Sequence, residues 1–338
     1  MSGLRHRFEA RVVRAWYRGA WWLFLLWPLS LLVAVVVRHR YRRRKRVDTL
    51  PVPVIVVGGI TVGGTGKTPV VIALAEFLVA QGLRVGVVSR GYGGSSGDQI
   101  LQVEAGSSAA VVGDEPLLIA RRTGVPVVVG HDRCQAWQQL TGRTSLDVVL
   151  SDDGLQHYAL PRSYEIAVVD GQRGLGTAKL LPMGPLREPA SRLEAVDWVL
   201  VRNGGQPDSG FHYRPCHLEC LQSGQRVEPG ALSSQWRGQR VAAVTALGQP
   251  EQFFDTLEGL GLAVERVSFP DHYPINVGDL AQIQADIIVM TEKDAVKLQP
   301  SADARIWVLA ITAELPDALL QGLKQRFVDS GGGSCSTS

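Results

Sequence analysis

Beyond residue 50 the chain alternates short, wholly apolar runs with amphipathic stretches. Pro51-Val52-Pro53-Val54-Ile55-Val56-Val57 predicts a buried strand entered through prolines. A Gly-rich turn follows, then a helix with Val70, Ala73, Leu74, Phe77 and Leu78 on its apolar face, ended by Gly82. Residues 84–89, 125–129, 146–150, 166–169 and 198–201 predict further buried strands. Continuous apolar strands separated by helices indicate a parallel sheet covered on both faces. Between residues 205 and 235 the pattern gives way to Gly, Pro, Ser and Gln, which reads as a domain boundary. A second α/β pattern then starts, with strands at 241–245, 264–269, 287–290 and 306–311 and a helix at 250–260. The expected organisation is an N-terminal segment 1–46, a larger domain 47–220, a smaller α/β domain 221–330 closing over the site, and a flexible tail 331–338.

The N-terminal segment differs in kind. Residues 19–37 carry no charge and lie between Arg18 and Arg38. Nineteen helical residues rise about 28 Å, close to the roughly 30 Å of bilayer hydrocarbon. Trp16, Tyr17, Trp21, Trp22, Trp27 and Tyr41 suit the headgroup boundary. No small-residue cleavage site follows, so a removable signal peptide reads poorly. Pro28 would kink a spanning helix, and both spanning and half-inserted placements fit. Seven basic residues from Arg38 to Arg46 outnumber the five arginines before residue 19, which puts the heavier flank on the cytoplasmic side.

Charge sharpens this division. The first 46 residues hold twelve Lys or Arg and one acid, Glu9; the rest hold 23 bases and 31 acids. A basic head on an acidic body excludes a body-wide nucleic-acid surface and points to an anionic lipid surface at the N-terminus. With 45% apolar and 20% charged residues, wholesale disorder is excluded. Four cysteines without a Cys-x-x-Cys pair exclude a disulfide scaffold, and Cys216-His217-x-x-Cys220 lacks the second half of a zinc site.

The first strand runs into Gly58-Gly59-Ile60-Thr61-Val62-Gly63-Gly64-Thr65-Gly66-Lys67-Thr68. This is a phosphate loop in which Thr61 replaces the leading glycine. Residues 61–68 are the expected nucleotide-binding set: backbone N–H groups at a helix N-terminus hold phosphate oxygens, Lys67 reaches the β- and γ-phosphates, and Thr68 ligates Mg²⁺. The strand at 146–150 runs into Ser151-Asp152-Asp153, where a metal-side carboxylate belongs. Thr291-Glu292-Lys293-Asp294 lacks the spacing of a guanine-specificity motif, so ATP is the expected nucleotide. The fold class is thus a P-loop NTPase-type parallel sheet with a smaller α/β domain and a membrane-anchoring helix. A membrane-tethered switch NTPase is the alternative reading, although Val62 stands where the deviant switch loop carries Lys.

Taken together, these stretches resemble the tetraacyldisaccharide 4′-kinase family. The motifs are T-V-G-G-T-G-K-T at 61–68, R-G-Y at 90–92, G-D-E-P at 113–116 and D-D-G-L-Q-H at 152–157. L-L-P-M-G-P-L-R-E-P at 180–189, F-P-D-H-Y at 269–273 and M-T-E-K-D-A-V-K at 290–297 follow in family order. Gly59, Leu155 and Tyr273 depart from common family residues. The resemblance implies transfer of the ATP γ-phosphate to the 4′-hydroxyl of a tetraacylated glucosamine disaccharide 1-phosphate. It implies Mg²⁺ dependence and a place on the cytoplasmic face of a Gram-negative inner membrane, with no obligate protein partner. It gives Asp114 the role of proton acceptor with His272 as its partner, and Glu115 becomes a further metal or water ligand. Arg90 and Tyr92 follow the second strand, where open sheets bind ligands. Gln156 and His157 follow the double acid. Arg187 or Arg133 suits the substrate phosphate, since guanidinium meets phosphate bidentately.

Overall fold

The computed structural model describes residues 11–43, 50–95, 97–204, 206–271, 273–298 and 303–329. In chain order the strands begin with β1 (Val54–Gly58), β2 (Val85–Ser89), β3 (Leu101–Val103) and β4 (Val127–Val129). β5 (Val148–Asp152), β6 (Tyr164–Asp170), β7 (Trp198–Arg202), β8 (Gly210–Cys220) and β9 (Arg226–Val227) follow. β10 (Val241–Thr245), β11 (Val264–Ser268), β12 (Ile287–Thr291) and β13 (Ile306–Glu314) complete the set. The helices used below are α1 (Trp27–Arg42), α2 (Lys67–Ala80), α3 (Asp114–Thr123), α4 (Arg133–Arg143), α5 (Glu251–Gly259), α6 (Glu292–Ala295) and α7 (Asp317–Lys324).

All the strands join one sheet, in the order β11-β10-β12-β13-β8-β7-β6-β1-β5-β2-β4-β3, with β9 beside β8. From β7 to β4 the pairing is parallel throughout. Alternation along β1 explains how one strand serves two faces. Ile55 and Val57 pack with Val70, Leu74 and Leu78 of α2 and Leu117 of α3, whereas Val54 and Val56 pack with Ala136 and Leu140 of α4. Both faces are therefore covered, as wholly apolar parallel strands require.

β8 falls inside the stretch 205–235 that the sequence suggested as a boundary. Its first residues pair with β7 in parallel, Val201↔Gly210 and Arg202↔Phe211. The remainder pairs antiparallel with β13 from His212 to Cys220. Phe211 accordingly belongs to the core around α2, and Leu218 and Cys220 to a second core with Phe253, Phe254 and Leu257 of α5. β3 also departs from an all-parallel arrangement, pairing antiparallel with β4 at the far edge.

The N-terminal segment is helical at 11–18, passes through a 3₁₀ turn, Trp21–Leu26, and continues as α1. Among the described residues, Trp21–Arg42 is a helix long and apolar enough to cross a membrane, by length and composition. One side of it docks on the body. The Ser30 hydroxyl donates to the Leu180 carbonyl (3.0 Å) and accepts from the Met183 N–H (3.1 Å). Trp16 Nε1 donates to the Pro182 carbonyl (2.9 Å). At the other end Tyr41 meets Tyr158 edge-on at 5.7 Å, and the Arg192 guanidinium lies 5.2 Å from the Tyr41 ring. The outward side exposes Trp21, Phe24, Leu25, Leu29, Leu32 and Val35.

Candidate active site

The carboxyl ends of β1, β5 and β2 lie side by side, and the segments that leave them carry the chemistry. β1 gives way to the loop 59–66, which feeds directly into α2 at Lys67 and Thr68. Gly63 and Gly66 have φ of +99° and +85°, backbone that an L side chain resists. Space forbids a side chain at Gly66 as well. A Cβ there would lie 1.7 Å from the hydroxyl oxygen of Tyr213, which donates to the Gly66 carbonyl (3.0 Å). No side chain caps the start of α2, so its first N–H groups are presented to the loop interior, the arrangement that receives phosphate.

Facing this loop is the end of β5. Asp152 is 1% exposed and accepts from the Ser89 hydroxyl through Oδ2 (3.0 Å), while its buried Oδ1 has no hydrogen-bond partner. Burial, with Glu115 and Asp153 close by, pushes this carboxyl up to about 7. Asp153 sits at φ +47°, unusual for a residue with a side chain. Its Oδ1 is 3.6 Å from Lys67 Nζ, its Oδ2 accepts from Arg187 Nη1 (2.9 Å), and its carbonyl accepts from Arg133 Nη2 (3.4 Å). Burial opposes its charge, but Lys67, Arg187 and Arg133 outweigh that and hold it below the usual carboxylate range.

Asp114 and Glu115 open α3 after Gly113. Glu115 pairs with Lys293 (3.0 Å), and Lys293 with Lys67 overcomes the effect of burial to hold it below its ordinary value. Asp114 Oδ2 lies 3.2 Å from Lys297 Nζ. The same ammonium is 3.8 Å from Asp294 and donates to the Tyr273 carbonyl (3.5 Å). Arg122 of α3 pairs with Glu292 of α6. The segment 292–297 is thereby bound along α3, from its first turn to its last.

This geometry brings a phosphate loop, an acidic strand end and an acidic helix start into one cleft, and three comparisons agree on its meaning. The family described as tetraacyldisaccharide-1-P 4′-kinase matches residues 22–328. The chain belongs to this family. A tetraacyldisaccharide 4′-kinase of Alcanivorax borkumensis is 48% identical over 317 residues, covering 93% of this chain and 96% of that protein. One from Alkalilimnicola ehrlichii is 49% identical over 311 residues, covering 90% and 92%. A crystal structure titled as an "apo" form of LpxK from Aquifex aeolicus in complex with ATP superposes with a TM-score of 0.73 at 30% identity, covering 90% of this chain and 99% of that one.

Within this kinase fold, most of the residues expected from sequence converge. Lys67, Asp152, Asp153, Glu115 and Arg187 surround one space, and Gln156 lines it. The Gln156 amide donates to the Gly59 carbonyl (3.0 Å) and to Glu188 (2.6 Å), and its oxygen accepts from Arg187 (3.3 Å). Glu188 in turn accepts from Tyr158 and from Arg192 (3.1 Å). Arg192 and Arg162 both pair with Glu165. This network is buried, so each charge depends on its partner, and it locks the 180–189 motif to the 152–157 motif.

His157 lies further out, 3.9 Å from both Cys134 Sγ and Asp132 Oδ1. Burial, reinforced by Arg133, lowers it to about 4, so its imidazole is neutral near pH 7. Arg90 bonds His131 (3.3 Å), and Tyr92 is 67% exposed. His272 lies outside the described residues; the partner of Asp114 among those described is Lys297. Lys293 and Lys297 stand beside Glu115 and Asp114; spacing gave little reason to choose either, since each is set in place by tertiary packing.

Proposed function

We propose that the chain transfers the γ-phosphate of ATP to the 4′-hydroxyl of a tetraacyldisaccharide 1-phosphate, on the cytoplasmic face of a bacterial inner membrane. The observation that carries this reading is the phosphate loop facing Asp152, Asp153 and Glu115, in a chain of this family. The loop backbone and Lys67 hold the β- and γ-phosphates. An orphaned, buried Asp152 oxygen beside other hard oxygen donors fits Mg²⁺. Thr68, Asp152, Asp153 and Glu115 are its candidate ligands, with Asp152 favoured because Asp153 is already committed to Lys67 and Arg187. When bound, the ion would neutralise charge on the transferring phosphoryl group.

Asp114 accepts the proton of the attacking hydroxyl, with His272 assigned as its partner by the family resemblance and Lys297 fixing its carboxylate. Arg90, Tyr92, Gln156, His157 and Arg187 form the rim that receives the disaccharide and its phosphate, with Arg133 buried behind Asp153. The test against a switch NTPase is ATP turnover with and without the disaccharide acceptor. A kinase stays nearly idle until the acceptor is added. Turnover that ignores the acceptor and responds to a protein partner would favour the switch.

The anchor reads as half-inserted. Ser30 and Tyr41 tie both ends of α1 to the body, eleven residues or about 16 Å apart. A helix held in this way lies along the body and offers its outer side to lipid. The groove between it and the body, 610 Å³ and lined by Phe24, Trp27, Leu31, Leu180 and Met183, suits an acyl chain. Leu25→Glu with Leu32→Glu should release the protein from anionic vesicles, because each exposed leucine contributes about 1.5–3 kcal/mol on burial, and should leave the melting temperature unchanged. Full sedimentation of this variant with vesicles would place the membrane contact elsewhere.

A further inference from the structure

One cation beside the phosphate loop has no part in the scheme above. Arg173 lies in the turn that follows β6. Asp170 shapes that turn, its Oδ1 accepting from the N–H groups of Gln172 (3.0 Å) and Arg173 (3.3 Å). The turn carries the Arg173 side chain back over the loop. Its Nη1 lies 3.6 Å from where a Cβ on Gly63 would stand. A guanidinium so placed borders the loop backbone that, with Lys67, cradles the β- and γ-phosphates.

Three further observations separate this arginine from a surface residue that happens to lie nearby. First, it is held from two sides. Its guanidinium stacks 5.4 Å from the ring centre of Tyr17 in the N-terminal segment. The Gln249 side-chain amide, from the turn between β10 and α5, packs against it, and with its oxygen turned inwards that oxygen lies 2.7 Å from Nη1 and 2.9 Å from Nη2. Second, both holding groups are neutral. Among the described residues no carboxylate forms an ion pair with Arg173. Arg187, Arg192, Arg202 and Arg122 are each neutralised by an acid. Among the described residues no acid neutralises the Arg173 guanidinium at ion-pair distance, which leaves its charge for an anion bound at the loop. Third, Gly63 has no side chain and has φ +99°, so residue 63 puts no side chain between the guanidinium and the loop backbone.

We propose that Arg173 acts as an arginine finger in cis, stabilising the charge that spreads over the γ-phosphoryl oxygens as the bond to the β-phosphate breaks. This rests on the kinase reading and adds a catalytic residue to it. A planar fork of donors suits the equatorial oxygens of the transferring group, and such arginines are worth about 10³–10⁵-fold in turnover. The arrangement also gives the anchor a chemical role. Tyr17 belongs to the segment that meets the membrane, so seating of that segment sets the position of the finger.

The test compares the full-length parent with Arg173→Ala and Arg173→Lys in detergent or vesicles. It measures acceptor-dependent turnover, ATP affinity, and affinity for Mg·ADP with and without aluminium fluoride, a mimic of the transferring phosphoryl group. Arg173→Ala should lose about 10³-fold in turnover, with ATP affinity changed by less than about threefold. It should also lose the gain in ADP affinity that aluminium fluoride gives the parent. Arg173→Lys should recover a minor part, because it keeps the charge without the fork. Turnover of Arg173→Ala within threefold of the parent would overturn the proposal. So would an unchanged aluminium fluoride effect alongside weakened ATP binding, which is the signature of a loop prop. A parent that binds ADP with aluminium fluoride but never phosphorylates the disaccharide would instead overturn the kinase reading on which the proposal stands.

Discussion

A folded Lys67→Ala protein should transfer phosphate at no more than about one-thousandth of the parental rate. Transition-state charge in phosphoryl transfer is met by preorganised cations, and removing one such group costs two or more orders of magnitude. The local electrostatics make this lysine hard to replace. Lys67 Nζ stands 3.6 Å from Asp153 and helps keep both Asp153 and Glu115 ionised. Its loss leaves three acids around the phosphate site with less positive charge to offset them, so ATP affinity should fall along with turnover. A thermal melt close to that of the parent separates this effect from misfolding. Near-normal turnover by a folded variant would remove the phosphate loop from the mechanism.

Asp114→Asn should lower turnover by about 10²–10⁴-fold, the typical worth of a general base, with ATP affinity little changed. The substitution preserves shape and the start of α3 but takes away the proton acceptor. His272→Ala should lose a smaller factor. Groups that act as a unit are non-additive, so the double variant should fall well short of the product of the two losses. Strictly multiplicative losses would mean that the two residues act independently. A fully active Asp114→Asn enzyme would shift the search to Asp152 or Asp153. The 3.2 Å contact between Asp114 and Lys297 gives a further handle, since Lys297 joins Asp114 to Asp294 and to the Tyr273 carbonyl. The Lys297 ammonium thus joins three segments distant in sequence, those of Asp114, Tyr273 and Asp294.

The strands that could be read from sequence were those with an unbroken apolar run, because a strand buried on both faces needs no alternation. β1, β2 and β5 are of this kind, and each is buried throughout. β8 was hidden for a physical reason. Its inward side chains, buried Phe211 and half-buried Tyr213, fall on one parity, and buried Leu218 and Cys220 on the other. The register slips where Ala310 pairs with His217 and Ile311 with Pro215, so Cys216 is the extra residue of a bulge. A bulge reverses the alternation midway, and a pattern read with period two then averages out. β3 escaped because it is three residues long and lies at an edge.

The site divides along the same line. Residues carried by the phosphate loop and the double acid were legible, since backbone geometry alone places them at the ends of β1 and β5. Lys293, Lys297 and Arg173 were not, because each reaches the cleft only after α6, β12 or the turn beyond β6 has packed. Nothing in the local sequence Gly171-Gln172-Arg173-Gly174 says which loop it will cover.

The most direct test of the whole account is to incubate the purified, membrane-reconstituted protein with γ-³²P-ATP, Mg²⁺ and the tetraacyldisaccharide 1-phosphate, and then to map the position of the label. Label on the 4′-oxygen of the disaccharide, with little inorganic phosphate formed when the acceptor is left out, is the predicted result. Label released as inorganic phosphate at the same rate with or without the disaccharide, and none on the glycolipid, would contradict it.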